Sequence, residues 1–349
     1  MTAGAGVAQP LSLGILGCAN IARVFTRDVT PSPHVRIDAV ASRDADNAAS
    51  FAAANGIARS HGSYEALLAD ADIDAVYIPL PNSMHAQWAV KAAHAGKHIL
   101  CEKPLALGRR DAEAMFKAAA REGVMLLESF PWWFQPQTGA MMKLIADGGI
   151  GEVRSVQASC GFMITDALAR TRLDASLGGG AVFDCGCYPL SLIQLVMGCA
   201  PVRVTAMASS SSDGVDISTM ATLEYADGRR AQLSCAMDTA SHRHATIVGS
   251  GGVIETGYPN HTSEDAEANA FGYRPGRMEV RRGTAMTAPF ETIAVPGGSG
   301  FRLAAEAFAM KIASRDADAV ARAAEASIDI AATLEAIRRS IESNSTVAV

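Results

Sequence analysis

The 349-residue sequence predicts an α/β protein of two domains, a parallel-sheet domain over residues 1–130 and an α/β domain with a largely antiparallel sheet over 131–349. Three observations lead there. At about 150 residues per domain, the length suggests two units. Up to Phe130, short apolar runs alternate with Ala-rich stretches of helical period, the pattern of βαβ units. Beyond Phe130 the apolar runs lengthen and follow one another directly, as in an antiparallel sheet.

In the first domain, Leu11–Leu16, Val35–Ala41, Ala75–Ile78, Lys97–Cys101 and Val124–Leu127 read as strands. Met84–Ala95 and Asp111–Glu122 carry the helical period between them. In the second domain, Val153–Phe162, Val202–Ser209, Val215–Tyr225 and Arg230–Met237 read as strands, with Asp227-Gly228 as a hairpin turn. One helix, Ala181–Met197, interrupts them. The stretch Phe301–Ile341 is mostly Ala-rich helix and is placed to pack back on the first domain.

Composition narrows the function. Lys and Arg total 30 against 36 Asp and Glu, a net charge of −6, which argues against a nucleic-acid partner but leaves room for a local anion site. Hydrophobic residues are 49% and charged residues 19%, which argues against disorder. Seven cysteines without a CxxC pair fit a reducing compartment. Cys185 and Cys187 fit packing. His242 and His244 share one strand face but have no evident third ligand, so no metal is expected. Met1–Pro10 lacks a basic and an apolar signal region, and no apolar run reaches about 20 residues. A cytoplasmic protein without a membrane partner is expected.

The first strand runs into Gly17-Cys18-Ala19-Asn20-Ile21-Ala22, a form of G-x-[GA]-x-x-[GA] at a strand-to-helix turn. Gly17 permits the tight turn, and the helix offers free N–H groups and its positive end to a pyrophosphate, as in a Rossmann dinucleotide-binding domain. Ala19 departs from the usual glycine. The second strand ends in Ser42-Arg43. A guanidinium there suits the 2′-phosphate of NADP; the alternative leaves Arg43 solvated and Asp44 or Asp38 reading the ribose. Glu102-Lys103-Pro104 ends another strand at the same carboxyl edge, with Pro104 restraining Lys103 to an extended backbone. Lys103 is either a polarising ammonium at the site or half of a surface pair. Gly178-Gly179-Gly180 turns into a helix on which Asp184 and Tyr188, four apart, share a face. Asp184 either meets substrate or caps backbone, and Tyr188 either meets substrate or packs in the core.

These segments, with Pro81-Asn82-Ser83-Met84-His85, together resemble the Gfo/Idh/MocA oxidoreductases over nearly the whole chain. Tyr188, where many members carry His, resembles the branch with glucose–fructose oxidoreductase, bacterial aldose–aldose oxidoreductase, NADP-dependent xylose dehydrogenase and dimeric dihydrodiol dehydrogenase. The resemblance implies a Rossmann domain followed by an open sheet. It implies NADP held by Gly17, Cys18, Ala19, Asn20, Ile21, Ser42, Arg43, Pro79, Asn82, His85, Glu102 and Lys103. It implies catalysis by Lys103, Tyr188 and Asp184; Arg172, at a spacing similar to the family's, either orients substrate or pairs with Asp184 or Asp174. Trp133 and Gln135 stand where the family often has Arg and His. Trp132 or Trp133 could stack on a sugar ring or lie in the core. Gly257–Pro275, with Tyr258, His261 and Tyr273, is a second source of pocket residues.

The implied activity is oxidation of an aldose at C1 to an aldonolactone, with Tyr188 taking the hydroxyl proton. NADP that stays bound would let a second aldose be reduced to an alditol. The alternatives are a trans-1,2-dihydrodiol dehydrogenase, which the tryptophan pair suits, and a non-catalytic nucleotide sensor, against which the retention of Lys103, Asp184 and Tyr188 speaks. An open sheet with an apolar outer face would make the chain a homo-oligomer, most simply a dimer.

Overall fold

The computed structural model describes residues 9–165, 171–212, 214–264 and 268–349. Most of the N-terminal stretch read for a signal, and residues 265–267 of Gly257–Pro275, lie outside them.

Six parallel strands form the first sheet: β1 (Leu11–Leu16), β2 (Val35–Ala41), β3 (Arg59–His61), β4 (Ala75–Ile78), β5 (His98–Glu102) and β6 (Leu126–Ser129). Their order is β3-β2-β1-β4-β5-β6. The order reverses direction between β1 and β4, and in such a sheet ligands bind at that switch point beyond the carboxyl ends of the strands. The flanking helices are α1 (Asn20–Val29), α2 (Ala45–Asn55), α3 (Tyr64–Leu68), α4 (His85–His94) and α5 (Arg109–Glu122). β4 is buried at every residue, so its apolar run does not alternate.

After α6 (Pro136–Ala146), a nine-stranded sheet is built from β7 (Val153–Met163), β8 (Arg203–Ser210), β9 (Asp216–Glu224), β10 (Arg230–Ala236), β11 (Asp238–Gly249), β12 (Gly252–Thr256), β13 (Met278–Arg282), β14 (Glu291–Thr292) and β15 (Val347–Ala348). Its order is β14-β13-β12-β11-β7-β10-β9-β8-β15. All its pairs are antiparallel except β7 with β10. One face packs on α7 (Cys187–Met197) and on the long α9 (Ala317–Ser343). The segment Ala175–Met197 is long and apolar enough to cross a membrane by length and composition, but 89% of its most apolar 18-residue window is buried inside the protein, as befits a core helix.

The opposite face needs a correction. It carries Met207 and Met220, 70% and 62% exposed, but beside them lie Gln157, Ser159, Thr222, Gln232 and Ser234. The face is mixed rather than apolar, so the ground for expecting an oligomer is narrower than the sequence suggested.

The C-terminal helix α8 (Gly300–Ser314) packs on the first domain. Phe301 and Phe308 join the core under β1, and the Phe301 ring meets Phe25 of α1 edge-on at 5.6 Å. On the same side, buried Asp28 of α1 accepts hydrogen bonds from Tyr273 Oη at 2.7 Å and Ser299 Oγ at 2.6 Å. These contacts clamp the two domains together next to the cavity that both of them line.

Candidate active site

A cavity of about 450 Å³ lies between the domains, at the carboxyl ends of β1, β4 and β5. The first domain supplies Ala19, Asn20, Ile21, Pro79, Asn82, Glu102 and Lys103 to its wall, and the second supplies Arg172, Gly178, Asp184 and Tyr188. Asn82 Nδ2 donates to the Gly178 carbonyl at 2.9 Å, a bond between domains at the rim.

On one side the wall suits a dinucleotide phosphate. Gly17 turns from β1 into α1 with φ +116°, a region that L side chains rarely adopt, and a Cβ there would meet Leu80 at 3.0 Å. The first turn of α1 has no side-chain cap and no acidic residue, so its N–H groups and positive end stay available to an anion. Both carboxylates that could read a ribose are engaged elsewhere. Asp44 caps α2 through the N–H groups of Asp46 and Asn47, and Asp38 accepts from Ser12 Oγ at 2.7 Å and Arg36 Nε at 2.6 Å. Ser42 is buried and bonded to the Asp44 N–H and to Asn47, while Arg43 is exposed at the tip of β2. The charged group open to solvent at that tip is therefore a cation, hydrogen-bonded to the Tyr64 phenol.

On the other side lie the titratable groups. Lys103, joined to Pro104 by a cis peptide, donates from Nζ to the Asp184 carbonyl at 2.7 Å. Its Nζ is 3.6 Å from Asp184 Oδ1, and Arg172 Nε is 2.5 Å from Oδ2 of the same carboxylate. Burial pushes the Lys103 ammonium down, but the acidic groups around it, Asp184 and Glu102 among them, push it further up, so it stays charged. Val182–Gly186 forms a π-turn that leads into α7. A widened turn of this kind often marks a functional site, and here it brings Asp184 and Tyr188 to one cavity. Tyr188 is 8% exposed. Burial raises its phenol, and Lys103 and Arg243 pull it down by less. The free enzyme therefore holds a protonated phenol at neutral pH. Glu102 accepts from Tyr77 Oη at 2.7 Å, and burial raises its carboxyl.

Three expected contacts sit elsewhere. Trp132 is fully buried, and its Nε1 donates to Ser191 Oγ at 3.0 Å, so it is a core residue. Trp133 packs against Phe130 with ring centres 4.8 Å apart, and neither indole lines the cavity. The support that the pair lent to an aromatic diol substrate falls away. His85 is fully buried, with Nδ1 2.9 Å from the Pro104 carbonyl and Nε2 2.8 Å from that of Leu80. It ties the loop after β4 to the Lys103 loop and does not reach the cavity.

Two residues at the site were missed. Arg243 of β11 lies over the Tyr188 ring, its guanidinium carbon 3.9 Å from the ring centre, and Asn260 Nδ2 donates to Tyr188 Oη at 3.1 Å. A signal existed in the strand alternation. His242 and His244 face solvent, and period two turns the residue between them inward. Tyr258, from the same segment as Asn260, donates to the Ser159 carbonyl at 2.7 Å, and His261 stacks on Tyr273 with ring centres 4.6 Å apart.

Comparison with known proteins agrees with this geometry. Residues 11–130 match a family model described as an oxidoreductase family with an NAD-binding Rossmann fold, and residues 138–255 match the GFO/IDH/MocA C-terminal domain. A D-xylose 1-dehydrogenase (NADP(+)) of Haloferax volcanii is 34% identical over 97% of this chain and 99% of its own length. The 3-ketoreductase KijD10 of Actinomadura kijaniata, solved with NADP and TDP-benzene, superposes with a TM-score of 0.83 at 30% identity over 95% of this chain and 98% of its own. An aldose–aldose oxidoreductase of Caulobacter crescentus, complexed with glycerol, gives a TM-score of 0.84 at 26% identity over 97% of this chain and 100% of its own.

Proposed function

The chain belongs to the Gfo/Idh/MocA oxidoreductase family, and from that premise we propose that it is an NADP-dependent sugar oxidoreductase that oxidises an aldose at C1 to an aldonolactone. The observation that carries the reading is the meeting of Lys103, Asp184 and Tyr188 in one cavity with the uncapped start of α1 and, at the next strand tip, Arg43. Bound NADP would supply the hydride acceptor in oxidation and, reduced, the donor in the reverse direction.

The chain's own residues would do the rest. The N–H groups that open α1 would hold the pyrophosphate, and Arg43 the 2′-phosphate. Asp184, itself paired with Arg172, holds the Lys103 ammonium in place, where it can donate to the reacting oxygen. Tyr188 Oη would take the proton of the C1 hydroxyl in oxidation and return it to a carbonyl oxygen in reduction. Because the phenol is protonated at neutral pH, reduction needs no prior ionisation, whereas oxidation becomes faster as the pH rises toward the phenol's pKa.

Tyr188→Phe keeps the ring and removes the proton carrier. We expect it to cut turnover by about 10²–10⁴-fold and to leave NADP affinity, read by fluorescence titration, within a factor of about two. Unchanged turnover in that variant removes Tyr188 from the mechanism.

A further inference from the structure

Around the cavity, Lys103 and Arg172 both pair with Asp184, whereas among the described residues no carboxylate forms an ion pair with Arg243. The residues nearest Arg243 bring it no counter-charge. A hydrogen bond with Cys185, and then burial, pushes the Cys160 thiol up, while burial raises the Tyr258 phenol and pulls His261 down to about 4, so all three are neutral at pH 7. Its NH1 donates to Asn260 Oδ1 at 2.9 Å.

A guanidinium has donors only. Asn260 must therefore turn its oxygen to Arg243 and its Nδ2 to Tyr188, and donor chemistry fixes that orientation rather than placement of the amide. The phenol oxygen is then the acceptor of the Asn260 bond, and its own proton is left to point elsewhere. Of the other groups facing Tyr188, Lys103 Nζ lies 4.8 Å from the ring centre and shares the single Asp184 carboxylate with Arg172. Cys187, pushed up to about 12, and Tyr77 are neutral, and Glu102 opposes the cations to the extent that it ionises. Arg243 is the cation against the ring that has no carboxylate partner among the described residues.

We propose that Arg243 and Asn260 are positioning residues for Tyr188: together they hold its oxygen as an acceptor and favour its ionised form, readying it to take the substrate proton in oxidation. The proposal rests on the reading of Tyr188 as the proton carrier.

The test is a tyrosinate-absorbance titration of the NADP-loaded enzyme, read as the difference between each protein and the same protein carrying Tyr188→Phe. Arg243→Met and Asn260→Asp are expected to move the Tyr188 ionisation up by about one pH unit or more, and Arg243→Lys to restore most of it. The nearly isosteric Asn260→Asp neutralises Arg243 in place, so it serves where Arg243→Met does not fold. The pH profile of kcat for oxidation should move in parallel, making turnover about tenfold lower at a fixed pH below the transition, with KM for NADP unchanged. An unmoved Tyr188 ionisation in variants that bind NADP normally overturns the proposal. The titration needs no sugar, so the two readings fail separately. A shifted ionisation without aldose oxidation keeps the positioning and loses the substrate. Tyr188-dependent aldose oxidation with an unshifted ionisation does the opposite.

Discussion

Glu128 shows how burial acts on one residue. It is 1% exposed at the end of β6, its Oε1 accepts the Leu105 N–H at 2.8 Å, and its Oε2 has no partner. Burial raises its carboxyl from the ordinary 4.5 to about 7, against the pull of bonds from Ser327 and Leu105. Between those two values the folded state binds more protons than the unfolded one, so this group makes the protein less stable as pH rises through that window, with the full penalty above about 7. Glu128→Gln should therefore stabilise the protein by about 3 kcal/mol near pH 8 and by much less near pH 4.5, measured by urea denaturation at both. An equal effect at both would mean that Glu128 is not titrating in the fold. The same attention to burial separates the residues that could be read from sequence from those that could not. Lys103, Asp184 and Tyr188 sit in short local motifs, whereas an aromatic run such as Trp132-Trp133 fits a core and a sugar platform equally well.

Among the elements, β1, β2 and β4 were legible because buried apolar runs end there in turn residues. β3 was not, since Arg59-Ser60-His61 is a three-residue edge strand with no apolar residue. β11 was missed because only Ala245 and Ile247 of its twelve residues are buried. In its polar first half Arg243 turns toward Tyr188 while His242 and His244 face solvent, which erases the hydrophobic alternation. Arg243 and Asn260 come from this strand and a distant loop, and only the tertiary fold brings them to Tyr188. The tip of β2 carries the cofactor choice. With Asp38 and Asp44 engaged, Arg43→Ala should weaken NADP binding by about tenfold or more and leave NAD binding nearly unchanged. Equal losses for both nucleotides would mean that Arg43 does not read the 2′-phosphate.

At the scale of the whole molecule, the cavity exists because α8 returns to the first domain and the Asp28 cluster closes the seam. Neither domain alone holds both the uncapped start of α1 and Tyr188. Both sheets were readable in outline from strand spacing, and the return of the C-terminal helices to the first domain was expected, but that Phe301 and Phe308 are the residues that enter its core is encoded in no local pattern. The shared cavity should make sugar oxidation a property of the intact chain. The direct measurement is reduced-nicotinamide absorbance on mixing the purified protein with D-xylose or D-glucose, first without and then with added NADP. We predict a rise that depends on Tyr188. A stoichiometric rise before NADP is added means the nucleotide stays bound and awaits a second sugar, and a catalytic rise only after addition means it dissociates. Silence with both sugars and NADP, from neutral to alkaline pH, would contradict oxidation of an aldose at C1.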